Sequence, residues 1–133
     1  MAINEDRWGA HAQYLPIPQD GPIASIPATV SFDQDAASTE ASHDALASIR
    51  KTKVRQGQDV LVNGATGAIG SAAVQLLKVV GATVTAVCDT PHVQLVHDLG
   101  ADRVIDRSTQ DFTKDEQTYD VVFDAAWVRG RTR

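Results

Sequence analysis

With 133 residues, 43% of them hydrophobic and 22% charged, the chain has the composition of one modest globular domain, and a formal net charge of −5 argues against a surface built for nucleic acid or an anionic membrane. No apolar run approaches the roughly 20 residues that cross a bilayer, and the Met-Ala-Ile-Asn-Glu-Asp start shows no secretory signal. The single cysteine, Cys88, excludes an intrachain disulfide and a cysteine-rich zinc site, and it suits a reducing cytoplasm, the expected location.

Residues 1–30 stand apart. Four of the five prolines (Pro16, Pro18, Pro22, Pro27) fall there, which excludes a central strand or a helix and predicts extended segments and turns. Ser31-Phe32-Asp33-Gln34 has the form of a capping box, so a helical region is expected from about Phe32 to Arg50, broken near Thr39. Arg50, Lys51, Lys53 and Arg55 read as a solvated basic end that complements the helix dipole. His43 and Asp44 are neighbours on this helix; adjacent helical residues diverge, so no catalytic dyad is expected.

Val60 to Asp89 carries most of the information. Val60 to Val62 is an all-apolar run, the pattern of a strand buried on both faces. Glycines follow at Gly64, Gly67 and Gly70, and then Ile69, Ala72, Ala73, Leu76, Leu77 and Val80 recur at helical spacing until Gly81 stops the helix. Val84 to Cys88 is a second buried strand, closed by Asp89. Glycine at 64 permits a sharp exit from the strand, Gly67 removes any side chain from the path of a pyrophosphate, and Gly70 lets the helix approach the sheet. The amides around Thr66, Gly67, Ala68 and Ile69 at the helix N-terminus suit a phosphate. Asp89 lies 19 residues beyond Gly70, near the usual offset of an acid that binds ribose hydroxyls. A P-loop would need Gly-Lys-Ser/Thr where Ile69-Gly70-Ser71 stands, and the short-chain dehydrogenase pattern would need glycine at 68 and a downstream Tyr-x-x-x-Lys.

Thr90-Pro91 predicts an N-cap and a first helical proline, with Val93, Val96 and Leu99 turned inward until Gly100. Arg103 to Ile105 is a third strand, Ser108-x-x-Asp111 the start of another short helix, and Tyr119 to Asp124 a fourth strand. His92 and His97 have no acid or thiolate at ligand spacing, and no metal site is expected. Alternating strands and helices predict an α/β fold. It is a partial, doubly wound Rossmann sheet, all parallel, of order 3-2-1-4, with helices on both faces and the ligand crevice at the carboxyl ends of strands one and four. The expected division is 1–30, 31–126 as the nucleotide-binding part, and a basic tail over 127–133. The exposed fourth strand is a hazard for self-pairing.

Together N63-G64-A65-T66-G67-A68-I69-G70, V84-T85-A86-V87-C88-D89, L99-G100-A101-D102-R103-V104-I105-D106 and Y119-D120-V121-V122-F123-D124-A125 resemble the medium-chain dehydrogenase/reductase superfamily, in its zinc-independent, quinone-oxidoreductase-like branch. The resemblance runs from about Trp8 to Ala126 and implies the cofactor-binding part of an NAD(P)(H)-dependent oxidoreductase that reduces quinones, enones or similar carbonyl compounds. It implies that residues 1–30 are the end of a preceding catalytic domain and that the chain is truncated or frame-shifted. It also implies that Asp106 and Arg107 border the adenine and that Asp124, Ala125 and Ala126 line the nicotinamide ribose. Asp44 stands where the family has a threonine near the nicotinamide. No catalytic residue can be named. A carboxylate at 89, with no Lys or Arg from Thr90 to Val96, favours NAD(H), whereas the resembled branch often uses NADP(H). The alternative reading is a non-catalytic nucleotide-binding module or inactive fragment. A homo-oligomer formed through the sheet edge is a further expectation.

Overall fold

A computed structural model describes residues 12–21 and 23–126. The expectations for residues 1–11, for Pro22 and for the basic tail over 127–133 lie outside the described residues. The chain divides into two compact units, Met1–Thr39 and Glu40–Arg133.

In the first unit the proline-rich stretch forms turns, with Gly21 N donating to Pro18 O at 3.0 Å and Val30 N to Pro27 O at 2.9 Å. Several of its apolar side chains are exposed, Tyr14 and Phe32 at 89% and 82%. The capping box forms in both directions: Ser31 N donates to Gln34 Oε1 at 3.0 Å and Gln34 N to Ser31 Oγ at 3.2 Å. Helix α1 then spans Phe32–Thr52 as one element. The break expected at Thr39 is absent, and within the continuous helix the Thr39 hydroxyl donates to Asp35 O at 2.6 Å.

The second unit is built on four parallel strands, β1 (Asp59–Asn63), β2 (Thr83–Cys88), β3 (Arg103–Asp106) and β4 (Val121–Asp124), in the order β3-β2-β1-β4. Helices α2 (Ala68–Val80) and α3 (Val93–Asp98) connect β1 to β2 and β2 to β3. This is the doubly wound, Rossmann-type order that alternating strand and helix patterns predict. Period-two alternation sorts the strand residues. Val60, Val62, Val84, Ala86 and Cys88 share one core with Ala73, Val74 and Leu77 of α2, Val96 of α3, and Ala45 and Ile49 of α1. Leu61, Val87 and Ile105 point the other way, against Phe112 and Tyr119. Phe112 belongs to a single 3-10 turn, Phe112–Lys114, which is the helical cover of that face among the described residues.

Two boundaries differ from expectation for identifiable reasons. Thr90 does not cap the helix after β2: Asp89 occupies the cap position of a 3-10 turn, Thr90–His92, while the Thr90 hydroxyl is spent on Asp106 Oδ2 at 2.7 Å. The turn expected at Ser108 starts at Asp111, whose carboxylate accepts from Thr113 N at 3.1 Å, because Ser108 N is held by Asp106 Oδ1 at 2.9 Å. Within α2 the buried stripe includes Val74, whereas Ile69 is 36% exposed.

Gly81 ends α2 in the left-handed region, its N–H returning to Lys78 O at 3.0 Å. Lys78 Nζ reaches from that last turn to both Asp102 oxygens, at 2.8 and 2.7 Å, and Asp102 Oδ2 also accepts from Val84 N at 2.7 Å. One carboxylate thus fixes the end of α2, the start of β2 and the entry to β3. A second cluster braces the far face, with Arg103 forking onto Asp115 at 2.7 and 3.1 Å and Tyr119 Oη donating to the same carboxylate.

Candidate nucleotide-binding site

The site is assembled where β1 ends. The chain leaves Asn63 and turns at Gly64, whose φ of +78° is unfavourable for a residue with a side chain. A Cβ there would also come within 2.9 Å of Ala126 N, on the segment leaving β4. Ala65 is fully buried and its N–H donates to Val87 O at 3.1 Å, so the turn is tied to β2. The chain then surfaces: Thr66, Gly67, Ala68 and Ile69 are all exposed, and Gly70 is buried again.

The glycines serve different ends. At Gly70 a Cβ would stand 2.1 Å from Gly64 O and 2.8 Å from Gly64 C, so the first turn of α2 can lie on the loop only without a side chain. Gly67 is under no such constraint. Its φ of −71° and ψ of 165° suit any residue, and a Cβ would meet nothing closer than Gly64 O at 3.5 Å. The fold tolerates a side chain at Gly67; bareness there matters only to something approaching from outside.

The amides of this turn divide into those the loop uses and those it leaves unpartnered. The first closed turn of α2 is Ser71 N to Gly67 O at 2.8 Å, and Gly67 N turns inward to Gly64 O at 3.1 Å. Among the described residues no acceptor is found for the N–H groups of Ala68, Ile69 and Gly70, as expected for a helix N-terminus. Gly67 caps without a side chain, and the first turn of α2 carries no acid to neutralise the positive end of the dipole. Unpartnered N–H groups, an unopposed dipole and a bare glycine fit the diphosphate of a dinucleotide.

The remaining expected residues sit at the carboxyl ends of the strands, because parallel pairing delivers them there in register. Asn63 pairs with Asp124, and Asn63 Nδ2 donates to Asp124 Oδ1 at 3.0 Å, an oxygen that also accepts from Ala126 N at 3.1 Å. Asp124 therefore shapes the segment that crosses Gly64. Cys88 pairs with Asp106, which brings the next residues, Asp89 and Arg107, side by side. Arg107 Nε and Nη2 donate to Asp89 Oδ1 and Oδ2 at 2.5 and 2.8 Å. The Arg107 hydrogen bonds hold the Asp89 carboxyl below its usual range. Asp106 is held down by the Thr90 hydroxyl and the Ser108 N–H. An open cavity of about 370 Å³ lies against Arg107, lined by Ser108, Thr109, Gln110, Asp111 and Phe112.

Sequence reasoning placed Asp89 correctly at the end of the second strand but left it a free carboxylate. The Asp89–Arg107 pair was missed because the two residues are far apart in sequence. The available signal was positional: each is the first residue past one of two neighbouring parallel strands.

His43 and Asp44 do touch, Nδ1 to Oδ1 at 3.5 Å, yet both side chains are about half exposed, 49% and 53%. That contact is too long for a good hydrogen bond and lies in solvent. Cys88 is buried in the core, and burial pushes its thiol up, away from the reactive thiolate. Among the described residues no three His, Cys, Asp or Glu side chains converge as a metal site would require, and no helix is long and apolar enough to cross a membrane.

A glycine turn from a buried strand into a helix, within a parallel sheet of order β3-β2-β1-β4, defines a Rossmann-type fold. The family model for zinc-binding dehydrogenases matches residues 68–129. Over 126 residues the chain is 34% identical to trans-enoyl reductase pgmF of Aspergillus terreus, a match that spans 92% of this chain and 35% of that protein. It is also 34% identical, over 121 residues, to the chloroplastic NADPH-dependent alkenal/one oxidoreductase of Arabidopsis thaliana, covering 90% of this chain and 31% of the relative. The quinone oxidoreductase from Coxiella burnetii superimposes with a TM-score of 0.68 at 30% identity, over 72% of this chain and 31% of that structure. The chain belongs to the medium-chain dehydrogenase/reductase superfamily, in its quinone-oxidoreductase-like branch. It spans about a third of the length of the relatives it matches.

Proposed function

We propose that this chain is the cofactor-binding part of a nicotinamide-dependent oxidoreductase acting on quinones, enones or related carbonyl compounds. The observation that carries the reading is Gly67, bare where the fold does not need it, beside the unpartnered amides of Ala68, Ile69 and Gly70. These amides and that of Thr66 hold the pyrophosphate. Gly64 and Gly70 keep the turn tight enough to present them. Asp89 and Asp106 border the adenosine, and Asp124 sits toward the nicotinamide ribose. Similarity to a trans-enoyl reductase, an NADPH-dependent alkenal/one oxidoreductase and a quinone oxidoreductase supports the chemistry. Bound nicotinamide supplies the hydride; these residues bind and orient the dinucleotide.

The first thirty residues are, on this reading, the end of a catalytic domain, which accounts for apolar side chains such as Tyr14 left without cover. Edge strand β4, with Val122 60% exposed, is the surface through which copies of the chain self-associate.

Calorimetric titration of the 133-residue chain with NADH and NADPH, alongside an assay of enone and quinone reduction, tests the reading. Saturable binding of either dinucleotide supports it. Absence of binding to both refutes it. Binding without turnover assigns the chain to a nucleotide-binding module and removes the catalytic half of the proposal.

A further inference from the structure

The carboxylate at 89 alone would repel an adenosine 2′-phosphate, but the structure sets a guanidinium on it. We propose that Arg107 admits a 2′-phosphate to this site, and that the Asp89–Arg107 pair decides between NADH and NADPH. The inference rests on the dinucleotide reading above.

Strand register makes the pair. β2 and β3 run parallel with Cys88 opposite Asp106, and Arg107 N donates to Cys88 O at 2.9 Å, so the backbone of 107 is anchored beside the end of β2. From that anchor the guanidinium meets both oxygens of Asp89, as a fork on a carboxylate. The pair is not buried: the side chains are 51% and 40% exposed. Among the described residues Nη1 of Arg107 has no hydrogen-bond partner. The neighbouring charged groups are Asp106, whose oxygens are taken up by Thr90 and Ser108, and His92, which lies close enough to favour the Asp89 carboxylate.

Two consequences follow from this geometry. With NADH, Asp89 keeps Arg107 and accepts from the ribose hydroxyls on its remaining lone pairs. With NADPH, the 2′-phosphate offers the guanidinium a partner of higher charge with the same bidentate shape, and Arg107 exchanges Asp89 for it. An exposed ion pair is weak enough for that exchange. Asp89 therefore disfavours NADPH twice, by repelling the phosphate and by competing for its ligand.

The test uses the chain with two substitutions of opposite sense, Arg107→Met and Asp89→Asn, titrated calorimetrically with 2′,5′-ADP, 5′-AMP and NADH. Arg107→Met is expected to weaken 2′,5′-ADP tenfold or more while 5′-AMP changes by less than about threefold. Asp89→Asn is expected to tighten 2′,5′-ADP by about tenfold relative to 5′-AMP. Raising salt from 50 to 300 mM (about a sixfold change) should erode the 2′,5′-ADP preference of Asp89→Asn more than its 5′-AMP affinity. If NADH binds but neither substitution moves the ratio of the two fragments, Arg107 has no part in cofactor choice and the inference is overturned alone. If NADH and both fragments fail to bind the unsubstituted chain, the dinucleotide reading falls, and the inference with it.

Discussion

Gly67 and Gly70 lie three residues apart in the same turn, yet the structure assigns them opposite sensitivities. Alanine at Gly70 puts a methyl 2.1 Å from Gly64 O, 2.8 Å from Gly64 C and 3.0 Å from Ala65 Cα, all backbone. Nothing there is the loose end of a side chain, so α2 must lift off the loop. Overpacking of this kind costs about 1–3 kcal/mol, against a gain of up to ~1 kcal/mol from alanine's helix propensity. Because the contact is with rigid backbone, the upper part of that range applies, and a net loss of about 2 kcal/mol is expected. Alanine at Gly67 adopts the existing φ of −71° with its methyl 3.5 Å from the nearest atom. Losing glycine at an N-cap and stiffening the unfolded chain are opposed effects of about 0.5–1 kcal/mol each, so the net change stays within ~0.5 kcal/mol. Binding reverses the order. A methyl at Gly67 stands among the open amides, and a tenfold or greater loss of NADH or NADPH affinity is expected, about 1.4 kcal/mol. Urea unfolding followed by circular dichroism gives the first comparison, and calorimetric titration the second. A Gly67→Ala chain that binds dinucleotide as the parent does would refute the idea that bareness at 67 serves a ligand. Gly70→Ala as stable as the parent would refute the account of why the helix sits so close.

Asp102 and Asp115 give the remaining expectations. Burial pushes the Asp102 carboxyl up, but Lys78 Nζ and Val84 N–H outweigh it and hold it below its usual value. Asp102→Asn weakens both, and with the side chain 41% exposed the loss is discounted to about 1 kcal/mol, read from the urea midpoint at neutral pH. Arg103, aided by the Tyr119 hydroxyl, holds the Asp115 carboxyl at about 2. Its folded value lies below an unfolded value of about 3.9, so its contribution is complete well above pH 4 and is lost as pH falls toward 2. Urea midpoints measured from pH 6 to about 2 should fall for the parent and fall less steeply for Asp115→Asn. Equal slopes would show that the cluster under the sheet does not form in solution.

Composition and periodicity carried the core of the second unit. Apolar runs at Val60–Val62 and Val84–Cys88, glycines at Gly64 and Gly81, and the stripe through Ala73 and Leu77 are local signals, and each depends on backbone geometry within a few residues. The strand order 3-2-1-4 followed from alternation and the handedness of crossovers, which restrict parallel sheets to few topologies. Hydroxyl placement was not legible: Thr90 reads as a helix cap, and the structure gives its hydroxyl to Asp106 instead. Ile69 belongs to the apolar helical pattern but is 36% exposed in the first turn of α2, and Val74 takes a place in the buried stripe.

The sequence by itself determined that a bare helix N-terminus follows a buried strand and that an acid ends the next one. The state of that acid was decided only in three dimensions. Asp89 and Arg107 are separated by a helix, a turn and a strand, and nothing in the spacing between them encodes a contact. Parallel pairing of β2 with β3 closes that distance, and it turns an isolated negative charge into one half of an ion pair. Local patterns fix what each segment becomes; which charges neutralise one another depends on strand register, a property of the assembled sheet.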